Sequence, residues 1–341
     1  MRKSILPHRK LTAVLMILIM GMSCVSCKMF NAELEQEITS EEDNLIVVGY
    51  SQLGSESVWR TANTNSIQKA LSEENGFFLQ LKNARQKQEN QIKAIRSFIS
   101  QRVDYIVFSP IEEEGWRTVL TEAREAGIPV ILVDRTISKK DESLYTTRVG
   151  TDTYWEGEQA GIWLEEDLLK TGEQDETVNI VILEGTTGAT SQIGRSVGFE
   201  NIAKQHENWN IMASESGDFT TAKGKEVMEK YLWLYDDIDV LVSQNDDMTF
   251  GAIEALKESG RYIGPEDDIR IISFDAGRSA LELVKAGEID VDIECNPEQG
   301  ELLAEVIHKL QRGEKVEKVY IVEDKVFTID NVDEYLESRT Y

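Results

Sequence analysis

The stretch DYIVFSPIEEEGWRTVLTEAREAGIPVILVD, residues 104–134, decides the fold of this chain. Two short apolar runs, YIVF and VILV, stand on either side of a longer segment with helical character. Both runs are apolar at every position and contain β-branched residues, which is typical of strands buried on both faces of a parallel sheet. The stretch therefore predicts a strand, a covering helix and a second strand parallel to the first.

Similar strand and helix units continue on both sides of this stretch. About ten apolar runs over about 290 residues exceed what one open sheet of ordinary size uses, and the polar segment Ser138–Ser143 interrupts their alternation. We therefore predict an α/β protein with two doubly wound parallel sheets, each in its own lobe. The clearest other runs are LIVVGYS (45–51), VNIVILEG (178–185), DVLVSQND (239–246) and DIRIISFDA (268–276).

The composition excludes several classes of protein. Of the 341 residues, 41% are hydrophobic, which is enough for a large core and excludes a disordered or fibrous chain. The 62 acidic residues outnumber the 36 basic ones, and the net charge of −26 would repel nucleic acid. The three cysteines and three histidines form neither an HExxH motif nor paired CxxC motifs, so we expect no metal site.

Residues 1–27 have the pattern of a lipoprotein-type export signal. Basic residues precede the apolar run LTAVLMILIMGM, residues 11–22, which is too short to span a bilayer comfortably and leads into SCVSC. We predict lipidation of Cys27, with Cys24 as the alternative, although neither has the usual Leu three positions earlier. An uncleaved anchor and a plain secretory signal are the other interpretations.

Residues 28–44 are predicted to form an acidic tether. From Glu33 to Asp43 this segment carries six carboxylates and no basic residue, which is typical of a solvated spacer. The mature protein is therefore expected to lie outside the cytoplasm, with membrane contact only through its lipid anchor.

Polar residues follow several of the predicted strands. Ligands of doubly wound sheets bind outside the carboxyl ends of the strands, so these residues are candidate ligand contacts. A carboxylate such as Asp134 only accepts hydrogen bonds and a guanidinium such as Arg135 only donates them, so the pair can clamp a hydroxyl group, which does both. This favours a polyol ligand, although a helix cap or a loop salt bridge is the alternative role for Asp134. The residues in question are Ser51, Ser109, Asp134, Arg135, Asn245, Asp246 and Asp275.

Nucleotide-binding and catalytic motifs do not match. The first strand leads into GYSQLGSES (49–57) rather than GxGxxG, and the glycine-rich stretch EGTTGATSQIGRS (184–196) has no Walker lysine. That stretch remains a candidate backbone-donor turn or a simple tight connection. There is no GxSxG elbow, and His206 and His308 are predicted to lie on the surface, so neither an enzyme nor a cofactor is expected.

The segment SESVWR, residues 55–60, combines a carboxylate, an aromatic ring and a cation at the start of a predicted helix. Trp59 offers a flat face on which a sugar ring can stack, and Glu56 and Arg60 can hydrogen bond to ring hydroxyls. The alternative is a capped helix with an ordinary buried tryptophan.

Four long runs resemble the type I periplasmic binding proteins of the ribose and galactose kind, and within them the galactofuranose-binding branch of ABC importers. The resemblance extends from about Leu45 to about Val332. A repressor of the same fold would need a basic DNA-binding helix pair at its start, where this chain has the export signal. The runs are SQLGSESVWR (51–60), RQKQENQIKAIRSFI (85–99), ESGDFTTAKGKEVME (215–229) and QNDDMTFGAIEAL (244–256).

The resemblance implies a periplasmic binding protein-like type I fold, in which two lobes joined by three chain crossings close over a monosaccharide. It implies an N-terminal lobe of residues 45–150 plus 296–322 and a C-terminal lobe of residues 151–295 plus 323–341. The ligand would be galactofuranose or a related galactose or pentose sugar, and the permease and the ATPase would be separate chains. We expect a monomer. A sensor that signals to a membrane receptor or kinase is the alternative.

The resemblance also implies a set of ligand-binding residues. Two departures from the family pattern affect it, because Ala276 stands in place of a glycine and Asn83 in place of an aspartate. Cys295 and Asn296, near the second crossing, rank below the others. The implied ligand-binding residues are Glu56, Trp59, Arg60, Asp134, Arg135, Arg195, Phe219, Asn245 and Asp275.

Overall fold

The computed structural model describes residues 45–55, 57–261, 264 and 269–341. The predicted signal with Cys24 and Cys27, the predicted tether and Glu56 lie outside the described residues. In the described part of the chain, no helix is long and apolar enough to cross a membrane.

Strands and helices alternate along most of the described chain. The strands are β1 (Ile46–Gln52), β2 (Phe77–Asn83), β3 (Tyr105–Phe108), β4 (Val130–Val133), β5 (Thr147–Gly150), β6 (Val178–Glu184), β7 (Trp209–Ser216), β8 (Val240–Ser243), β9 (Arg270–Asp275), β10 (Val291–Glu294), β11 (Val319–Ile321) and β12 (Val326–Thr328). The α-helices are α1 (Val58–Ala70), α2 (Gln88–Gln101), α3 (Arg117–Glu125), α4 (Thr153–Thr171), α5 (Thr190–Ala203), α6 (Thr221–Leu234), α7 (Asp246–Glu258), α8 (Arg278–Ala286), α9 (Gly300–Gln311) and α10 (Val332–Leu336). Short 3₁₀ helices span Glu73–Asn75 and Lys139–Leu144.

The strands form two six-stranded sheets. The first has the order β11-β5-β4-β3-β1-β2 and is parallel throughout. The second has the order β12-β10-β9-β8-β6-β7 and is parallel except for the antiparallel pair of β10 and β12. The predicted α/β class with two doubly wound sheets is confirmed.

Strand β3 shows why these runs are apolar at every position. Its four residues are all buried, and successive side chains point to opposite faces of the first sheet. Ile106 and Phe108 pack in the core layer formed with α2 and α3, whereas Tyr105 and Val107 pack in the layer formed with α1 and α9. Both faces of the strand are thus covered by helices, as parallel sheets require.

The chain passes between the two sheets three times, after β5, after β10 and between β11 and β12. The passages lie side by side. The Thr151 hydroxyl is 3.4 Å from the Cys295 thiol, and the Asn296 amide donates to the Asp324 carboxylate at 2.7 Å. The limits of the two lobes stay a prediction.

His206 and His308 are half-buried rather than fully exposed. The ring of His206 stacks on Trp209 with 4.2 Å between centroids, and His308 lies 4.9 Å from Phe77. Both imidazoles therefore pack at the edge of the core beside the first residues of β7 and β2, and not at the carboxyl ends of the strands.

Candidate ligand-binding site

Residues from the ends of strands in both sheets line one cleft. Eight of the nine predicted ligand-binding residues line it, and the ninth, Glu56, lies outside the described residues. Ser57, Ser191 and Cys295 complete the lining. The eight residues are Trp59, Arg60, Asp134, Arg135, Arg195, Phe219, Asn245 and Asp275.

Asp134 anchors the first-sheet side of the cleft. It follows β4 with a φ of +64°, a left-handed conformation that is uncommon for a residue with a side chain. Its Oδ2 accepts from Arg60 Nη1 at 2.8 Å and from Ser109 Oγ at 3.0 Å. Burial raises the pKa of Asp134, but the charges of Arg60 and Arg135 outweigh burial and hold the pKa below its usual value. Asp134 is therefore an ionised acceptor at neutral pH.

Helix α1 brings Trp59 and Arg60 to the cleft. Ser57 caps the helix, because its hydroxyl accepts from the Arg60 backbone N–H at 3.0 Å. Trp59 is only 7% exposed, and its Nε1 donates to the Cys295 carbonyl. The Arg60 guanidinium lies 4.5 Å from the centroid of the Trp59 ring. The segment is thus both a capped helix with a buried tryptophan and part of the cleft wall.

Arg195, on α5, holds the second-sheet side of the cleft together. Its Nε donates to Glu156 at 2.7 Å, its Nη2 donates to Asp275 at 3.0 Å, and its Nη1 donates to the Gln244 carbonyl. Burial lowers the pKa of Arg195, but the carboxylates of Glu156 and Asp275 raise it well above its usual value. The guanidinium is therefore a permanent cation in the wall of the cleft.

Phe219 faces Arg135 across the cleft, with the guanidinium carbon 5.6 Å from the ring centroid. Its backbone φ is +58°, again left-handed. The ring fits only because Gly185 has no side chain, since a Cβ at that position would lie 1.8 Å from Phe219 Cζ. The glycine-rich turn after β6 therefore makes room for an aromatic ring.

Asn245 lies just after β8 and Asp275 ends β9, and these two strands are neighbours in the second sheet. Asn245 caps α7, where its Oδ1 accepts from the Met248 N–H at 3.0 Å, and this leaves its amide nitrogen to donate. Burial raises the pKa of Asp275 well above its usual value, despite the opposing charge of Arg195. The cleft thus offers both donors and acceptors of hydrogen bonds.

The two departures from the family pattern lie in different places. Ala276 is buried behind Asp275 with a φ of +56°, and its N–H donates to Asp292 at 3.1 Å. Asn83 lies at the exposed end of β2, where its side chain accepts from the Arg85 N–H, and it does not line the cleft. The Asn296 side chain does not line the cleft either.

Sequence reasoning missed Ser57, Ser191 and Glu156. Ser57 was readable as the residue before a predicted helix, and Ser191 as part of the glycine-rich stretch. Glu156 is fully buried beside Arg195 but 39 positions away in the sequence, on another helix, and no local pattern marks it. Among the described residues, no group of histidine, cysteine and carboxylate side chains could hold a metal ion.

Two hydrogen bonds join opposite rims of the cleft. The Glu113 N–H donates to the Gly188 carbonyl at 3.3 Å. The Thr136 N–H donates to the Thr190 hydroxyl at 3.2 Å. The described conformation is therefore one in which the two sides of the cleft touch.

Comparisons with known proteins agree with this architecture. A periplasmic binding protein domain matches residues 48–315. The chain is 39% identical over 298 residues to the galactofuranose-binding protein YtfQ of Escherichia coli (strain K12), covering 86% of this chain and 91% of that protein. A solved structure from Mycobacterium smegmatis in complex with β-D-fucofuranose is 42% identical, with a TM-score of 0.81 over 86% of this chain and 94% of that one. The periplasmic binding protein component of the arabinose ABC transporter from Shewanella sp. ANA-3, bound to α- and β-L-arabinofuranose, is 39% identical, with a TM-score of 0.80 over 86% and 95%.

Proposed function

The chain belongs to the periplasmic binding protein family, and from that membership we propose that it is the extracytoplasmic binding protein of an ABC sugar importer. Its ligand is a monosaccharide, galactofuranose or a related galactose or pentose sugar in the furanose form. The similar structures that hold fucofuranose and arabinofuranose support the ring form. The importer component among them favours transport over the sensor alternative.

One observation carries this proposal: charged donors, charged acceptors and aromatic rings converge on a single cleft between two sheets. A hydroxyl group is both donor and acceptor, so it can bridge the ionised Asp134 and a neighbouring guanidinium. Trp59 and Phe219 supply flat apolar surfaces for the C–H face of the ring. A cyclic monosaccharide, which has both hydroxyl groups and an apolar ring face, satisfies all of these groups at once.

The binding energy is sufficient without covalent chemistry. Hydrogen bonds to charged groups contribute roughly 1.5 to 3 kcal/mol each, and an aromatic contact adds about 1 kcal/mol. A micromolar dissociation constant corresponds to about −8 kcal/mol. A few such contacts reach this value after the ordering costs, so the role we assign to the cleft is binding, not catalysis.

The sugar favours the closed arrangement because only there do both sides of the cleft touch it. We propose that the lobes comprise residues 45–150 plus 296–322 and residues 151–295 plus 323–341, hinged at the three passages. A separate permease recognises the closed form, and a separate ATPase drives transport. We further propose that lipidated Cys27, or Cys24, anchors the chain, with residues 28–44 as the spacer.

A thermal-shift screen tests the ligand class. We expect D-galactose or L-arabinose to raise the melting temperature with concentration, as a ligand of the native state does, whereas the open-chain polyol sorbitol leaves it unchanged. A crystal of the complex with the best ligand then shows the ring form. No shift with any sugar would refute the binding role, and a pyranose in the cleft would refute only the furanose assignment.

A further inference from the structure

We propose that Glu156 sets the sugar affinity without touching the sugar, because it holds Arg195 in place and ties it to the first passage between the lobes. The proposal rests on the proposed function, since it concerns the same cleft. It adds a positioning residue to the residues that line the cleft.

The two oxygens of the Glu156 carboxylate have two different partners. Oε2 accepts from Arg195 Nε at 2.7 Å, and Oε1 accepts from the Thr151 hydroxyl at 2.8 Å. Glu156 is fully buried, so this carboxylate exchanges no hydrogen bonds with bulk water. A buried carboxylate that loses one of two partners is strongly destabilised, so the positions of Arg195 and Thr151 depend on each other.

Thr151 lies where the passages between the lobes meet. It follows β5 directly, and its hydroxyl is 3.4 Å from the thiol of Cys295 at the second passage. The Cys295 carbonyl accepts from Trp59 Nε1. A continuous series of contacts therefore runs from Trp59 on one wall of the cleft, through two passages and Glu156, to Arg195 on the other wall.

Close packing of α4 against α5 fixes the distance between Glu156 and Arg195. A Cβ at Gly157 would lie 2.3 Å from the Arg195 carbonyl oxygen, and a Cβ at Gly198 would lie 2.3 Å from the Tyr154 carbonyl oxygen. The two helix backbones are thus in direct contact and cannot slide independently. A rotation of the chain at Thr151 moves α4, α5 and Arg195 as one body.

Removing the charge of Glu156 leaves Arg195 with a single carboxylate partner, Asp275, which itself lines the cleft. Arg195 then competes with the sugar for Asp275. We expect Glu156→Gln to weaken sugar binding at least tenfold in calorimetry. Glu166→Gln is the matched control, since it removes the same charge from an exposed position of the same helix, and it should bind like wild type.

The pH dependence of sugar affinity shows whether Glu156 acts as a positioning residue or only supports the fold. The charge of Glu156 raises the pKa of Asp275 and that of Asp324, whose pKa burial raises to about 9. In Glu156→Gln the pKa values of Asp275 and Asp324 both fall. The pH-dependent change in sugar affinity should therefore occur at lower pH than in wild type. The charged or titratable groups that feel Glu156 are Arg148, Arg195, Asp275, Cys295 and Asp324.

A second variant keeps the test decisive if Glu156→Gln does not fold. Thr151→Val removes only the hydroxyl that donates to Glu156 and leaves the pair with Arg195 intact. We expect sugar binding to be about threefold weaker than in wild type. In small-angle X-ray scattering, the decrease in the radius of gyration on sugar addition should differ from that of wild type. Wild-type affinity and compaction in Thr151→Val, or wild-type affinity in a folded Glu156→Gln, would overturn the proposal. A wild-type chain that binds no sugar would instead refute the proposed function.

Discussion

Trp59 serves the fold and the site at once, because it is 7% exposed, hydrogen bonded to the Cys295 carbonyl and part of the cleft wall. We predict that Trp59→Ala abolishes sugar binding or weakens it by more than tenfold, since the stacking surface is lost. Folding should stay cooperative, although loss of a large buried ring lowers the free energy of unfolding by about 3 to 5 kcal/mol. Isothermal calorimetry and chemical unfolding measure the two effects.

Two variants bracket this result. Trp59→Phe keeps an aromatic face but loses the N–H, so its affinity should lie between those of Trp59→Ala and wild type. Trp233→Ala removes a tryptophan that is 82% exposed and should change nothing. If Trp59→Ala binds sugar as wild type does, Trp59 has no part in the site.

Asp134 contributes through its charge. Asp134→Asn keeps the shape but leaves the buried Arg60 and Arg135 without the carboxylate that faces them. We predict at least a tenfold weaker dissociation constant and a loss of stability of about 3 to 5 kcal/mol. Ser109→Ala, which removes only one hydroxyl from Asp134, should have a much smaller effect. Wild-type affinity in Asp134→Asn would show that the charge of Asp134 is not needed to bind a sugar hydroxyl.

The pH dependence follows from the same charges. Because the pKa of Asp134 is lowered from 3.8, its contribution to stability is complete at neutral pH and is lost only as the pH falls through that lowered value. The contribution of Asp134 to affinity, measured by calorimetry as the difference in binding free energy between wild type and Asp134→Asn, should therefore be constant from pH 8 to pH 5.

Residues at strand ends were predictable because each follows a run of apolar residues, where a polar side chain stands out. Asp134, Asn245 and Asp275 were found in this way, and the structure places them in one cleft. Arg195 and Phe219 came only from the resemblance to a family, since helices and turns carry many such residues. Glu156 could not be predicted, because its burial depends on the contact between two helices.

The turn between β6 and α5 is an element whose role in the site is steric. Gly185 leaves space for the ring of Phe219, and a Cβ there would lie 1.8 Å from Cζ. We predict that Gly185→Ala displaces the ring and weakens sugar binding about tenfold or more, with little change in the folded core. Calorimetry measures the affinity, and a crystal structure of the variant shows the ring.

Gly188, in the same turn, provides the control. Its φ is +83° but no atom lies near the position of a Cβ, so Gly188→Ala adds backbone strain without a clash. We expect it to lose about 1 kcal/mol of stability while Phe219 stays in place. Equal effects of the two substitutions on affinity would show that strain of the turn, and not the ring, matters.

The apolar runs in the sequence predicted the strands of the two sheets, because a buried parallel strand needs apolar side chains on both faces. Strands β11 and β12 have only short apolar runs, since each is three residues long; β11 is largely exposed and β12 is only partly buried. They pair with β5 and β10 because the chain passes between the sheets at that point. This pairing depends on the arrangement of the whole molecule and is not encoded in a local pattern.

The contribution of the buried carboxyl pair Asp246 and Asp292 to the stability of the whole molecule should decline between about pH 4 and pH 7. Asp292 and Asp246 are buried side by side, and burial raises the pKa of Asp292 to about 7 and that of Asp246 well above its usual value. An unfolded aspartate has a pKa of about 3.9, so in this range the folded chain keeps a proton that the unfolded chain loses. The contribution of Asp292 to stability therefore falls as the pH rises and levels off above its pKa of about 7.

Asp292→Asn isolates this effect, because an amide stays neutral and can still accept from the Ala276 N–H. We predict that the variant gains stability relative to wild type as the pH rises from 4 to 7, by at most about 4 kcal/mol. Urea unfolding at a series of pH values gives the difference between the two curves. A difference that does not change with pH would show that Asp292 does not hold the proton.

Closure of the molecule depends on the contacts at the rims of the cleft. The Thr190 hydroxyl accepts from the Thr136 N–H at 3.2 Å across the cleft. Thr190→Val removes the acceptor of this hydrogen bond. The bond stabilises the closed form by about 0.5 to 1.5 kcal/mol, so its loss corresponds to roughly 2- to 10-fold weaker sugar binding. Thr190→Ser keeps the hydroxyl and should bind like wild type.

The hydrogen bond lies at the rim of the cleft and not beside the ligand. The weaker binding of Thr190→Val should therefore appear as faster sugar dissociation in stopped-flow fluorescence. At subsaturating sugar, small-angle X-ray scattering should also show a smaller decrease in the radius of gyration than in wild type. Unchanged dissociation in Thr190→Val would mean that the bound sugar alone holds the two sides together.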